Sequence, residues 1–272
     1  MKLYNLFLED NLIMTKKKDE LIIDGKKFAS RLIMGTSLYP NLEVLNKSLE
    51  ASATEIITVS MRRFNQEGEK FFLKGIKSKY TFLPNTAGCF TKKEALLTAE
   101  LSRESLKTEW IKLELISENE MLLPDPLELF ATCEELVKKK FKIFAYCSDD
   151  PILCKRLEEL GCAAVMPLIS PIGSGLGIRN EHNLEIIRSI CKGVIIVDAG
   201  IGAPSHACKV MELGFDGVLL NSSVARSFDP VQMATAMNLA VKSGRLSYLS
   251  GSIEKTKKAV RSTPFRGKIS NF

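Results

Sequence analysis

Residues 110–116 read Trp-Ile-Lys-Leu-Glu-Leu-Ile, an apolar run that carries two charges two positions apart. Side chains alternate faces along a strand, so Ile111, Leu113 and Leu115 share one face and Lys112 and Glu114 the other. The amphipathic stretches on either side, 91–106 and 126–140, read as helices. The same alternation continues in both directions. Short runs rich in Val, Ile and Leu fall at 31–36, 55–61, 79–85, 142–148, 163–168, 194–200 and 217–222, with helices at 150–160, 181–191, 204–213 and 230–243. Eight strands separated by helices within about 250 residues predict a (β/α)8 barrel, with an open doubly wound sheet as the competitor.

Local signals agree with this pattern. Asp150-Pro151 and Asp229-Pro230 combine an N-cap with a first-turn proline. Gly161, Gly193 and Gly214 stand just past helix ends, where a left-handed residue is favoured. Leu21-Ile22-Ile23 followed by Asp24-Gly25 predicts a short hairpin plugging the bottom of the barrel. The expected organisation is an N-terminal extension over 1–20, a barrel over 21–251 and a basic tail over 252–272.

In a parallel barrel both strand faces are buried, helices covering the outside and side-chain layers filling the inside. The apolar face of 110–116 should meet the helices, which turns Lys112 and Glu114 inward. A buried lysine is costly unless paired or neutralised. Two readings are open: a structural Lys–Glu ion pair, or an amine whose pKa is lowered by desolvation and which attacks carbonyls. Asp198 ends the otherwise apolar run Val194-Ile195-Ile196-Val197, at the catalytic end of a barrel strand. It either moves protons for chemistry at Lys112 or caps the following turn.

Three loops fit an anion. Gly173-Ser174-Gly175-Leu176-Gly177 follows the sixth strand, with a spacing that matches neither a dinucleotide fingerprint nor a P-loop. Ala199-Gly200-Ile201-Gly202 follows the seventh and Asn221-Ser222-Ser223 the eighth, where such barrels commonly hold phosphate. Together they point to a phosphorylated carbonyl compound held at one end and attacked by Lys112 at the other. Weaker candidates are the rim pair Arg62-Arg63, Asn85 and a thiol at Cys89. His182 and His206 read as surface residues, and Met211 and Met233 as helix packing.

Composition narrows the classes. Of the 272 residues 45% are hydrophobic and 26% charged, as expected for a globular chain with a sizeable core. The formal charge of +6 invites a nucleic-acid reading. From Lys242 onward there are eight basic groups against Glu254 alone, or +7; residues 1–241 hold 30 basic and 31 acidic groups, or −1. The positive excess therefore lies in the C-terminal segment rather than on the body. Seven scattered cysteines without a C-x-x-C are neither a disulfide framework nor a zinc-ligand spacing, and they indicate a reducing, cytoplasmic setting. Neither a membrane-length apolar run nor a secretory signal is expected.

Many ordered segments between residue 20 and residue 250 resemble the thiazole synthase family, whose enzymes build the thiazole phosphate half of thiamine. Among them are Ser30-Arg31-Leu32, Leu83-Pro84-Asn85-Thr86-Ala87-Gly88-Cys89, Trp110-Ile111-Lys112-Leu113-Glu114 and Leu123-Pro124-Asp125-Pro126. Ile172-Gly173-Ser174-Gly175, Val197-Asp198-Ala199-Gly200-Ile201-Gly202 and Leu219-Leu220-Asn221 continue the series. The resemblance implies a (β/α)8 barrel in which Lys112 forms an imine with 1-deoxy-D-xylulose 5-phosphate and Glu114 and Asp198 transfer protons. It places the phosphate against Gly173, Ala199, Gly200, Asn221 and Ser222. It implies sulfur from a thiocarboxylated ubiquitin-like carrier protein and dehydroglycine from a separate enzyme. It also implies a homotetramer, with no metal or organic cofactor and no nucleic-acid or membrane partner. The chain departs from the family where Asn-Thr-Ala is common and Asn221-Ser222-Ser223 stands, and in its basic C-terminal end. Two readings of Arg261, Arg266 and Lys268 in that end are open: they attract an acidic carrier or fold over the site, or they form a solvated tail.

Overall fold

The apolar runs become strands that nearly close into a ring. The structure is a computed structural model and describes residues 19–61, 75–76 and 79–263. It opens with an antiparallel hairpin, β1 (Leu21–Ile23) and β2 (Lys26–Phe28). Its turn residues Asp24 and Gly25 take φ of 50° and 75°, the left-handed geometry that a tight hairpin needs. The parallel strands follow: β3 (Leu32–Gly35), β4 (Ile56–Ser60), β5 (Thr81–Asn85), β6 (Trp110–Leu113), β7 (Lys142–Cys147), β8 (Ala164–Pro167), β9 (Ile196–Asp198) and β10 (Gly217–Leu220). They form an eight-stranded sheet in the order β8-β7-β6-β5-β4-β3-β10-β9. A parallel bridge from Val165 to Ile195 joins its two ends. The expected (β/α)8 barrel is the observed fold, and the open sheet is excluded.

The helices are α1 (Leu42–Ser52), α2 (Lys92–Leu106), α3 (Pro126–Lys138), α4 (Pro151–Glu159), α5 (Glu181–Ile190), α6 (Pro204–Glu212), α7 (Ser222–Ala225) and α8 (Pro230–Ser250). Their starts follow the sequence signals. The Asp150 carboxylate accepts from the Ile152 and Leu153 amides, and the Asp229 carboxylate from that of Gln232. Gly161 and Gly214 are left-handed, at φ of 98° and 86°. Gly193 is not; its amide instead donates to the Glu158 carboxylate.

Alternation sorts the side chains into two cores. Ile111, Leu113, Ile143, Ala145, Val197 and Val218 face outward and pack under the helices. Trp110, Phe144, Ile33, Ile56, Leu83 and Ile196 face inward and meet Leu21, Ile23 and Phe28 of the hairpin, which plugs the lower end as expected. The Trp110 ring packs in tilted contact with Phe144 and Phe28, its centroid 4.9 Å and 6.0 Å from theirs. Its Nε1 donates to Asp24 Oδ2 at 3.2 Å, and Lys142 Nζ lies 2.7 Å from Asp24 Oδ1. Asp19, just ahead of the hairpin, bridges Arg31 at 2.8 Å and Arg245 at 2.7 Å, tying the chain's entry to β3 and α8.

Most boundaries shift by one or two residues from the sequence reading, and three of the differences have a clear physical reason. β6 stops at Leu113 rather than 116, because the Glu114 amide turns to Thr86 Oγ1 at 2.8 Å. β9 stops at Asp198, because Ala199 and Gly200 turn left-handed at φ of 66° and 83°. α8 runs to Ser250 rather than 243. Gly244 is an interior glycine of this helix: a Cβ there would strike the Cys208 carbonyl and Met211 Cβ of α6, so its absence lets the two helices pack closely.

Candidate active site

On β6 the inward face changes character within two residues. Below is Trp110; above it Lys112 enters the barrel with 5% of its surface exposed. Glu114 is 6% exposed and Asp198, across the barrel on β9, is 4% exposed. Lys112 Nζ donates to Glu114 Oε1 at 2.9 Å and lies 2.6 Å from Asp198 Oδ2. The ammonium also sits 5.5 Å from the centroid of the Tyr146 ring. Thr86 fixes the backbone of Glu114 from both sides: its Oγ1 donates to the Glu114 carbonyl at 2.7 Å and accepts from the Glu114 amide at 2.8 Å. Asn85 pairs in register with Lys112.

This geometry corrects the electrostatic expectation. Burial alone would lower the Lys112 pKa, but the Asp198 and Glu114 carboxylates outweigh it and hold the group above its usual range. The resting amine is therefore an ammonium, and a nucleophilic role requires one of the carboxylates to take its proton first. The Tyr146 hydroxyl is pushed up by burial and by the neighbouring Asp198 and Glu114 charges, so it stays neutral.

Lys112, Glu114 and Asp198 face a cavity of about 480 Å³ at the ends of the strands, and Gly173, Ala199, Gly200, Asn221 and Ser222 line the same cavity. These eight residues, three singled out for chemistry and five for anion binding, are thus brought together. The anion loops interlock: Gly177 N donates to the Gly200 carbonyl at 2.9 Å. A Cβ on Gly200 would collide with Ser170, so the left-handed turn after β9 has no room for a side chain. Gly35 plays the same part on β3, where a Cβ would lie 2.5 Å from that of Asn221. The Asn221 Oδ1 and Ser223 Oγ atoms are shielded from solvent and have no hydrogen-bond partner. Unpaired buried polar atoms are rare, and here both belong to residues that line the cavity.

The weaker candidates separate. Asn85 lines the cavity. Cys89 is fully buried, its Sγ 3.5 Å from Thr98 Oγ1. His182 is exposed on α5, while His206 Nδ1 accepts from the Gly202 amide at 3.2 Å. Met211 is buried in the outer core, and Met233 is half-buried against it. Arg62, Arg63, Arg266 and Lys268 lie outside the described residues. Thr86, Tyr146 and Arg226 were not singled out from the sequence. Arg226 lines the cavity and donates from Nη1 to the Gly173 carbonyl at 3.3 Å. It stands just past the end of the short helix α7 and gives no signal in the alternation pattern. Among the described residues, no cluster of His, Cys, Asp and Glu has the arrangement of a metal site, and no helix is long and apolar enough to cross a membrane.

Comparison with known proteins bears on this site. Residues 22–264 match the family model described as thiazole biosynthesis protein ThiG. The chain is 49% identical over 259 residues to the thiazole synthase of Geobacter sulfurreducens, covering 94% of this chain and all of that one. It is 48% identical over 252 residues to that of Azorhizobium caulinodans, covering 92% and 95% of the two chains. Among solved structures, the Amycolatopsis orientalis BexX/CysO complex contains a chain that superposes with a TM-score of 0.80 at 26% identity, over 88% of this chain and 98% of the other.

Proposed function

The chain belongs to the ThiG family of thiazole biosynthesis proteins and is an enzyme, a thiazole synthase of thiamine biosynthesis; on that premise we propose that it works through an imine at Lys112. The observation that carries this reading is the Lys112 ammonium held between two buried carboxylates at the floor of the cavity. The substrate is 1-deoxy-D-xylulose 5-phosphate. Its phosphate lies against Gly173, Ala199, Gly200, Asn221 and Ser222, and its C2 ketone reaches Lys112. Binding energy at the remote phosphate end orients the reacting end.

The carboxylate pair performs the proton transfers. Asp198 or Glu114 takes a proton from the ammonium, and the free amine adds to the C2 carbonyl. The same proton returns to the resulting hydroxyl, which leaves as water and gives the imine. The imine acidifies C3; a carboxylate removes that proton and returns it elsewhere on the enaminol, which moves the carbonyl from C2 to C3. The C3 ketone is then the electrophile for a thiocarboxylate sulfur.

That sulfur comes as the C-terminal thiocarboxylate of a small ubiquitin-like carrier protein. The Amycolatopsis orientalis neighbour was solved as a complex of BexX with CysO, which supports a protein partner for a barrel of this shape. Dehydroglycine from a separate enzyme supplies nitrogen and carbon, and loss of water closes the ring. Residues 21–251 form the catalytic unit, flanked by the 1–20 extension and the basic 252–272 tail. The working form is a homotetramer without metal or organic cofactor. Seven free thiols suit the cytoplasm. Reconstitution tests the assignment: thiazole phosphate carboxylate should form only when sugar phosphate, dehydroglycine source and thiocarboxylated carrier are all present. Turnover of the sugar phosphate to another product without carrier would move the protein to a different class of Schiff-base barrel.

A further inference from the structure

The cavity has an electrostatic imbalance. Its charged lining residues, among those described, are Lys112, Glu114, Asp198 and Arg226. Lys112 is committed to two carboxylates, so without Arg226 the wall carries a net charge of −1. A phosphate dianion entering such a site meets repulsion that glycine-loop amides and hydroxyls oppose only with dipoles. Arg226 is the remaining full positive charge on the lining.

Its position matches that need. A Cβ built on Gly173 would lie 3.8 Å from Arg226 Nη1 and 3.6 Å from Ser222 Oγ, so guanidinium, glycine turn and hydroxyl stand side by side. Gly173 is left-handed at φ 72°, which opens the turn toward them. No carboxylate among the described residues pairs with Arg226; its hydrogen bond is to one neutral carbonyl, the Gly173 oxygen at 3.3 Å, and the side chain is exposed. A solvent-facing bond of that kind exchanges readily for a charge-assisted one to phosphate.

We propose that Arg226 closes over the substrate phosphate, leaving the Gly173 carbonyl to neutralise the dianion, and so sets the enzyme's preference for a phosphorylated over a non-phosphorylated ketose. The inference rests on the reading of the cavity as a phosphoketose site and adds the residue that balances its charge. The planar fork of arginine suits two phosphate oxygens, whereas a lysine provides only a point charge.

Arg226→Ala and Arg226→Lys test it, since the residue is exposed and neither change removes core contacts. Arg226→Ala should raise KM for the sugar phosphate by about 10- to 100-fold, the worth of one hydrogen bond to a charged group. It should raise the inhibition constant of inorganic phosphate by the same factor and leave kcat within a few-fold. Arg226→Lys should fall between. Phosphate binding, followed by 31P NMR titration with inorganic phosphate alone, should weaken in parallel. Unchanged KM and unchanged phosphate affinity in Arg226→Ala, with wild-type protein still forming its Lys112 adduct, would overturn the role of Arg226 and leave the imine reading standing. Weakened phosphate affinity in a protein whose wild type forms no Lys112 adduct would uphold Arg226 and remove the imine reading.

Discussion

Trp110 and Lys112 stand two residues apart on one face of one strand, in opposite surroundings. The contrast runs round the barrel. Ile56 sits below Thr58, Leu83 below Asn85, Phe144 below Tyr146, Ile196 below Asp198 and Leu219 below Asn221. The lower layer is a dry cluster sealed by the β1–β2 hairpin, and the upper layer is a charged cavity open at the strand ends. Strand alternation assigns both layers to the inside, so only the residue chosen at each level decides between core and chemistry. The lower layer can hold the strands in place while the upper one carries groups that a core would reject.

If the two layers divide labour in this way, substitutions in them should separate activity from stability. Lys112→Ala should abolish adduct formation and turnover while the barrel persists by circular dichroism; retained turnover would end the proposed mechanism. Glu114→Gln and Asp198→Asn should slow the steps after imine formation by about 10²–10⁴-fold, the usual scale of acid–base assistance. Single-turnover kinetics measures this, and near-normal rates in both would take the pair out of the chemistry. One layer down, Trp110→Ala should destabilise the fold by about 3–5 kcal/mol by denaturant titration. Its folded fraction should still form the Lys112 adduct; a loss of both together would dissolve the division between the layers.

Two smaller effects concern charge. The carboxylates raise the Lys112 pKa, so the stability contributed by the ammonium is complete below its unfolded value of about 10.4 and fades only as pH rises through the higher folded value. Side-chain NMR of Lys112 should accordingly show no titration below about pH 10. A step near neutrality would mean that desolvation prevails. At the opposite end of the barrel, a hydrogen bond from Arg245 outweighs burial and, with Arg31, lowers the Asp19 pKa to about 2. Its contribution is present above the unfolded value of about 3.9 and disappears as pH falls toward 2. Asp19→Asn should remove that part of the acid transition in thermal melts and leave neutral-pH activity unchanged.

Much of this was legible in the sequence because alternation is strict in buried strands. Lys112, Glu114 and Asp198 stand out as charges on inward faces, and the glycine loops follow the strands where a barrel places its site. What the sequence concealed depended on distance and register. The pKa direction of Lys112 needed Asp198, which is 86 positions away and meets it only across the closed barrel. The end of β9 needed the left-handed turn of Ala199, a residue with no special preference for it. Gly244 becomes a contact point only because α6 lies against α8. Arg226 follows no periodic pattern, and its place over Gly173 comes from two loops 53 residues apart.

The central claim is that the charged layer makes a covalent bond to a ketone at one lysine. Incubation with 1-deoxy-D-xylulose 5-phosphate and borohydride, followed by peptide mass spectrometry, tests it directly. The account predicts a reduced sugar-phosphate adduct on Lys112, absent from Lys112→Ala. A folded protein that gives no adduct, or one carrying it on a different lysine, would contradict it.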